Sequence, residues 1–140
     1  MKMTPYLSFN GECEAAFRFY EKLFNGNILA MMPHEGSPAE EHTPPEWQKK
    51  ILHACMTIGD QTLMASDMPS SQSEPMQGFN VAVQLDTPAE ANRIFDGLTE
   101  GGTVTVPMTE TFFAHCFGVV NDRFGTPWMI LCPKSMGEAQ

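Results

Sequence analysis

Residues 110–131, ETFFAHCFGVVNDRFGTPWMIL, decide the fold predicted for this chain. Two segments of β-strand character flank a turn at Asn121-Asp122-Arg123, and aromatic side chains are concentrated in both segments. So many aromatic rings in one hairpin either fill a core or line a cavity. We predict that this segment is the last hairpin of a cupped sheet and that its aromatic side chains face a small-molecule pocket.

Composition limits the class of protein. The chain has 140 residues, enough for one domain, and a formal net charge of −9, which disfavours nucleic acid and anionic membrane surfaces as partners. No apolar run approaches the roughly 20 residues of a membrane span, and the N-terminal segment does not resemble a signal peptide. The four cysteines form no CxxC pair, so we expect reduced thiols in a cytoplasmic protein.

The first half of the chain reads as strand, helix and three strands. Apolar residues recur at helical spacing over 13–24, Asn10 or Gly11 is the expected N-terminal cap, and Asn25-Gly26 is the expected stop. Strands are predicted at 4–9, 27–32, 50–58 and 61–66. Residues 33–46 contain four of the 17 acidic side chains and several prolines, and they predict a mobile, solvated loop.

The second half repeats this order. A strand at 79–85 precedes Thr87-Pro88-Ala89-Glu90, which combines a capping box with proline at the first helical position. Gly101-Gly102 ends that helix, a strand follows at 103–108, and the aromatic hairpin comes next. Residues 133–140 predict a frayed tail.

The two halves align as an internal repeat. At one offset, the apolar helix positions of the first half match those of the second: Ala16, Phe19, Tyr20, Leu23 and Gly26 match Ala91, Ile94, Phe95, Leu98 and Gly101. We therefore predict an α+β fold of two βαβββ modules, 1–68 and 78–133, joined by a linker at 69–77. Pairing the modules would place the helices outside and leave a concave space between the sheets, the usual setting of a ligand site.

One set of residues, spread over nearly the whole chain, matches the pattern of a known family: Pro5-Tyr6, Phe9, Gly11, Cys13, Ala16, Phe19-Tyr20, Ser66-Asp67-Met68-Pro69, Gly78-Phe79, Glu110-Thr111-Phe112, Ala114-His115, Phe117-Gly118, Asp122, Phe124-Gly125 and Pro127-Trp128-Met129-Ile130. On these residues the chain resembles the PhnB-like proteins of the vicinal oxygen chelate superfamily, which has the glyoxalase/bleomycin resistance fold. The resemblance implies a homodimer of paired βαβββ modules.

The resemblance also implies a divalent metal held by His, Glu or Gln on the first and fourth strands of a module. The corresponding strands of this chain supply mostly apolar residues: Tyr6, Ser8 and Phe9; Leu63, Met64 and Ala65, with Asp67 just beyond; Phe79, Asn80 and Val81; Trp128, Met129 and Ile130. Transition metals need N, O or S donors, so we predict no glyoxalase-type metal site and no cofactor, although the resemblance allows a divalent metal. PhnB-like proteins are often described as demethylubiquinone methyltransferases, yet the sequence lacks a Gly-rich strand-turn-helix for a methyl-donor nucleotide.

Four polar residues are candidates for catalysis. His53 and His115 open hairpins in the two halves and could act as general bases or as ligands of an unusual metal site, whereas satisfied strand histidines are the commoner case. In an ideal strand His53 shares a face with Cys55, whereas His115 and its neighbour Cys116 do not share one. Asp67 and Glu110 lie near apolar strand ends, where a raised pKa would suit a base, and where capping a turn or pairing with a cation is more usual.

Six aromatic residues are candidates for the walls of a ligand site: Tyr6, Phe9, Phe112, Phe113, Phe117 and Trp128. We expect the chain to bind a small apolar or aromatic molecule in the cavity. Two alternatives stay open. One is a metal-dependent lyase, isomerase or dioxygenase that uses His53, His115 and a carboxylate, and the other is a drug-sequestering protein whose acidic surface attracts a cation.

Overall fold

The computed structural model describes residues 1–69 and 74–135, and the chain divides into two units, Met1–Glu74 and Pro75–Gln140. Residues 70–73 of the predicted linker and 136–140 of the predicted tail lie outside the described residues. The module boundaries 1–68 and 78–133 remain our interpretation of the domain organisation.

Unit 1 is a four-stranded mixed sheet with one helix. Its elements are β1 (Tyr6–Phe9), α1 (Cys13–Phe24), β2 (Asn27–Pro33), β3 (Ile51–Ile58) and β4 (Gln61–Asp67). The strand order is β1-β4-β3-β2, with β1 parallel to β4 and the other pairs antiparallel.

Unit 2 repeats this topology. Its elements are β5 (Val81–Gln84), α2 (Pro88–Thr99), β6 (Thr103–Thr109), β7 (Ala114–Asn121) and β8 (Pro127–Pro133). The strand order is β5-β8-β7-β6, again with one parallel pair, β5 and β8. The predicted α+β fold of two βαβββ modules is confirmed.

One face of the unit 1 sheet packs against α1. Strand residues alternate between buried and more exposed, and the buried set faces the apolar stripe of the helix. That core consists of Leu7, Phe9, Ala54, Met56, Leu63 and Ala65 from the strands and Cys13, Ala16, Phe17 and Tyr20 from α1. Gly26, just after the helix, allows close packing against Met56, because an added Cβ there would lie 2.9 Å from the methionine sulfur.

In unit 2 the aromatic hairpin packs against α2. Gly118 of β7 lets the Phe95 ring approach, because a Cβ at that position would lie 2.7 Å from the ring. The buried residues on this side of the sheet are Cys116, Val120, Trp128, Ile130 and Cys132, opposite Ala91, Ile94, Phe95 and Leu98 of α2. The opposite side of each sheet has no helix from its own unit among the described residues.

The two helices begin in different ways. Thr87 caps α2 as predicted, since its hydroxyl accepts the backbone N–H of Glu90 at 3.2 Å. The predicted caps of α1, Asn10 or Gly11, are wrong. The N-cap position is Glu12, which makes no side-chain cap bond, and Asp67 at the end of β4 supplies the acceptor instead. The C-terminal stop is confirmed, with Asn25 in the left-handed region at φ 55°.

The acidic loop contains two short 3-10 helices, Glu40–His42 and Pro45–Trp47. His34 contacts the Lys50 carbonyl oxygen through Nδ1 at 2.9 Å, and the Gln48 side-chain amide donates to the carbonyl oxygens of Glu40 and Thr43. These bonds tie the loop to Gln48 and Lys50, just before β3. Within residues 1–69 and 74–135, neither helix has the length and apolarity to cross a membrane.

Candidate functional site

The helix-free face of unit 1 is defined by strand register. Tyr6 of β1 lies opposite Met64 of β4, which lies opposite Cys55 of β3, and Cys55 lies opposite Ala30 of β2. Because side chains two residues apart share a face, the same face carries Ser8, Ser66, His53 and Met32 in the next row. We call these eight residues the unit 1 face. None of them is Asp, Glu, Lys or Arg.

Tyr6 and His53 meet across this face. The Tyr6 hydroxyl lies 3.0 Å from His53 Nδ1, and the two rings stack with centroids 5.8 Å apart and planes 27° apart. Their strands are separated by β4, so the contact bridges a strand that carries Met64 and Ser66. A hydrogen bond and a ring contact together restrict the orientation of the imidazole. Tyr6 itself is 51% exposed and His53 is half-buried, so the pair lies at the surface of the unit.

The second helix-free face, in unit 2, is mainly apolar and aromatic, and strand alternation also places His115 on it, two residues before Phe117. Phe117 lies opposite Leu131, and Val119 lies opposite Met129; all four side chains are half-buried. Phe113 contacts Phe117 edge-on at 5.5 Å between centroids, and Phe112 contacts Phe113 in the same way at 5.2 Å. Phe112 is 77% exposed, so the row of three rings runs from the sheet outward to the surface.

The six aromatic candidates therefore fall into two groups. Tyr6 and Phe117 lie on helix-free faces, and Phe112 and Phe113 extend from Phe117. Phe9 and Trp128 are 3% and 2% exposed and lie on the helix-covered faces. The Trp128 indole N–H donates to Asp122 Oδ2 at 2.8 Å, and Asp122 Oδ1 accepts the backbone N–H groups of Phe124 and Thr126. This arrangement fixes the β7–β8 turn. Because Phe9 and Trp128 are almost fully buried, they are core residues rather than walls of an open site.

Asp67 accepts hydrogen bonds from the backbone and does not face an open site. Its Oδ1 accepts the N–H groups of Gly11 and Cys13, and its Oδ2 accepts the N–H of Ile51, each at 2.9 Å. The side chain is buried at 3% exposure. Both carboxylate oxygens are thus used to join the start of α1 to the start of β3.

Glu110 pairs with a lysine at the surface. Its carboxylate lies 3.0 Å from the ammonium group of Lys134. Hydrogen bonding to Lys134 and the charge of that lysine lower the pKa of Glu110, and the charge of His115 lowers it further. This direction is opposite to the raised pKa considered from the sequence, so Glu110 stays ionised and poorly basic near neutral pH.

The two histidine candidates have different settings. His53 lies on the unit 1 face beside Cys55. His115 is exposed on β7 at an irregularity of the β7–β8 register, and its neighbour Cys116 is buried opposite Cys132 on the helix-covered side. Burial, chiefly, raises the pKa of Cys116, and the neighbouring Cys132 adds to that effect. The units therefore do not present a symmetric pair of His/Cys sites.

The divalent metal implied by the superfamily has no matching donor set here. Across the described ranges 1–69 and 74–135, no three His, Cys, Asp or Glu side chains lie close enough together to hold a metal ion. The strand positions that would supply ligands carry residues such as Tyr6, Met64 and Met129, and Asp67 is already engaged by three backbone donors. The described residues therefore do not fit that metal site.

Sequence reasoning missed several residues of the unit 1 face. Ser8, Ser66, Met64 and Met32 become neighbours of Tyr6 and His53 through the register of β1, β4, β3 and β2. Alternation along β1 could have placed Ser8 beside Tyr6. The parallel pairing of β1 with β4 joins residues almost sixty positions apart, and no local pattern reveals it.

Comparison with solved structures places the architecture in a known class. The fold resembles a glyoxylase/bleomycin resistance protein/dioxygenase domain from Frankia sp. EAN1pec, with a TM-score of 0.66 at 10% identity, covering 96% of this chain and 98% of that one. It also resembles the fosfomycin resistance protein FosX from Listeria monocytogenes, with a TM-score of 0.66 at 8% identity, covering 100% and 97%. At such identities the likeness concerns the fold alone.

More similar proteins define the family. Protein PA1353 from Pseudomonas aeruginosa is 40% identical, with a TM-score of 0.87, over 96% of this chain and 99% of that one. A putative 3-demethylubiquinone-9 3-methyltransferase, PhnB protein, from Bacillus cereus is 25% identical, with a TM-score of 0.80, over 94% and 99%. Protein YjdN from Escherichia coli K12 is 34% identical over 138 residues, covering 93% of this chain and 94% of that protein.

The family model described as 3-demethylubiquinone-9 3-methyltransferase matches residues 1–131. The chain belongs to this PhnB-like family, and its fold is that of the glyoxalase/bleomycin resistance proteins.

Proposed function

We propose that this protein binds a small, uncharged molecule with an apolar or aromatic body on the helix-free faces of its sheets, without a glyoxalase-type metal. The observation that carries the proposal is the unit 1 face, where the Tyr6–His53 pair stands among the apolar side chains Ala30, Met32, Cys55 and Met64. Ligand sites typically combine an apolar lining with a few polar groups that fix orientation. The aromatic-lined cavity expected from the sequence belongs to this proposal.

The side chains of these faces favour an uncharged ligand. The unit 1 face offers no Asp, Glu, Lys or Arg, and Phe117, Val119, Met129 and Leu131 of unit 2 add apolar surface. A charged group placed against such surfaces would lose hydration without gaining a counter-ion. Methionine side chains adapt to ligands of different shapes, which suits binding rather than a single rigid fit.

The methyltransferase description of the family is not the function we propose. Nucleotide cofactors commonly use free N–H groups at a helix N-terminus that follows a strand. In this chain Asp67 occupies the N–H groups of Gly11 and Cys13 at the start of α1, and Thr87 occupies that of Glu90 in α2. These contacts leave both helix starts poorly suited to an anionic group of a methyl donor.

A screen of uncharged aromatic compounds against isotope-labelled protein tests the proposal. We expect bound compounds to shift the backbone amide resonances of β1, β3 and β4, and to raise the melting temperature in proportion to the logarithm of ligand concentration. Shifts confined to residues outside the helix-free faces of the two sheets, or no binding by any compound, would contradict it.

The same sample distinguishes the alternatives. Elemental analysis is expected to find no stoichiometric zinc, nickel, manganese or iron; such a metal, lost in His53→Ala or His115→Ala, would favour the metal-dependent enzyme. A cationic drug that binds more tightly than neutral aromatics of equal size would favour sequestration.

A further inference from the structure

We infer that the Tyr6–His53 pair is a fixed hydrogen-bond donor that selects ligands with a carbonyl oxygen, so that the ligands of this face are neutral aryl carbonyl compounds. The inference rests on the proposed function, since it names the ligand class of the same face. Its basis is the contact between the Tyr6 hydroxyl and His53 Nδ1 at 3.0 Å and the stacking of the two rings.

The chemistry of the two groups sets the direction of their hydrogen bond. A neutral imidazole has one N–H donor and one acceptor nitrogen, and a phenol O–H is a better donor than its oxygen is an acceptor. Tyr6 therefore donates to Nδ1, and the imidazole proton lies on Nε2. The two ring nitrogens point in diverging directions, so the Nε2–H points away from Tyr6.

The surroundings define what this donor can select. An oxygen acceptor on the ligand satisfies Nε2–H, while Met32, Cys55 and Met64 contact an apolar body. A carboxylate would also accept the bond, but the unit 1 face supplies no Lys or Arg to balance its charge. A neutral carbonyl meets both conditions. A ligand without an acceptor would leave the Nε2–H unpaired on binding. The cost of that unpaired N–H discriminates between ligands more strongly than the hydrogen bond itself.

The first test reads the tautomer directly. Nitrogen-15 NMR of the imidazole side chains is expected to show His53 as the Nε2–H form in the wild type. Tyr6→Phe, which removes the hydroxyl and keeps the ring, is expected to yield a mixture of the two tautomers. The Nδ1–H form in the wild type, or no change in Tyr6→Phe, would overturn the inference. Tyr6 is exposed at the surface, so Tyr6→Phe removes no core packing.

The second test compares two probes of similar shape, acetophenone and ethylbenzene, by amide chemical-shift titration. The wild type is expected to bind acetophenone about tenfold more tightly, the scale of one neutral hydrogen bond. His53→Leu is expected to bind both probes equally while keeping its affinity for ethylbenzene. His42→Leu, the same change at an exposed histidine of the acidic loop, serves as the matched control and is expected to keep the preference.

The outcomes separate this inference from the function on which it rests. If both probes bind to the unit 1 face with equal affinity in the wild type, the carbonyl selection is wrong and the proposed function stands. If the probes shift only β7 and β8, the inference is wrong and the proposed function stands. If they shift the strands of neither helix-free face, both fail. A preference that survives in His53→Leu would assign the selection to another group.

Discussion

Asp67 shows how one carboxylate can join three segments of unit 1. Its oxygens accept N–H groups from the turn before α1, from the first turn of α1 and from the start of β3. The residue that looked like a candidate base from the sequence is therefore a buried acceptor in the backbone network. Its importance should appear in stability rather than in any chemical step.

Replacing Asp67 with alanine is expected to lower the free energy of unfolding by about 3 kcal/mol, because buried N–H donors lose a charged acceptor. Urea denaturation followed by circular dichroism measures the change. Asp60→Ala is the matched control, since Asp60 lies exposed in the β3–β4 turn, and there the change should stay within about 0.5 kcal/mol. A loss at Asp67 no larger than at Asp60 would refute this account.

Cys13 should be unreactive in the folded protein. It is fully buried, and burial together with the charges of Asp67 and Glu14 raises its pKa from the ordinary 9.0 to about 12. This rise in pKa lowers the population of the thiolate, which is the reactive form of the thiol, by about a thousandfold. Iodoacetamide labelling at pH 8, mapped by mass spectrometry, is expected to modify the half-buried Cys55 first and Cys13 only in denaturant. Equal labelling rates in the native state would contradict the burial of Cys13.

The raised pKa of Cys13 also affects the stability of the protein at alkaline pH. Because the folded pKa of Cys13 lies above its unfolded value, the unfolded chain releases the thiol proton first as the pH rises. The contribution of the buried Cys13 thiol to the free energy of unfolding is therefore complete below about pH 9. It declines between pH 9 and about 12.

At the scale of the elements, close packing of α2 on β7 depends on Gly118. Gly118→Ala would place a Cβ 2.7 Å from the Phe95 ring, and both groups are buried. We expect a loss of about 2 kcal/mol in the free energy of unfolding, the usual scale of overpacking. Thermal and urea denaturation provide the measurement.

The variant Phe95→Leu tests whether contact with the Phe95 ring causes that loss of stability. In Phe95→Leu the ring is absent, so adding Gly118→Ala should cost clearly less than it does in the wild type. Equal costs in the two backgrounds would show that the α2–β7 contact is not responsible.

The element boundaries illustrate what local sequence can predict. Helical periodicity placed both helices well, because amphipathic spacing and the stop signals at Asn25 and Gly101 are local. The cap of α2 was also predicted, since Thr87 and Glu90 are three residues apart. The cap of α1 was not, because its acceptor, Asp67, lies more than fifty residues away and reaches α1 through the β1–β4 pairing.

For the whole molecule, we propose a homodimer, as the family resemblance implies. Large apolar side chains at the surface, such as Phe112 at 77% and Phe79 at 47% exposure, provide surface that association could cover. Light scattering on the purified chain is expected to give about 31 kDa, twice the 15.5 kDa of one chain. A mass of one chain that persists as concentration rises would rule out this proposal, and a dilution series is its control.

The sequence by itself determined the two βαβββ modules, the helix limits and the family resemblance, because these follow from periodicity, turn chemistry and an internal repeat. It also indicated Tyr6 and His53 as site candidates. Tertiary structure decided which candidates share a face: the register joined Tyr6 to His53 across β4, placed Phe9 and Trp128 in the core, and gave Asp67 and Glu110 structural partners. The physical reason is that strand pairing and burial are set by contacts between distant residues, whereas a sequence pattern reports the preferences of neighbours.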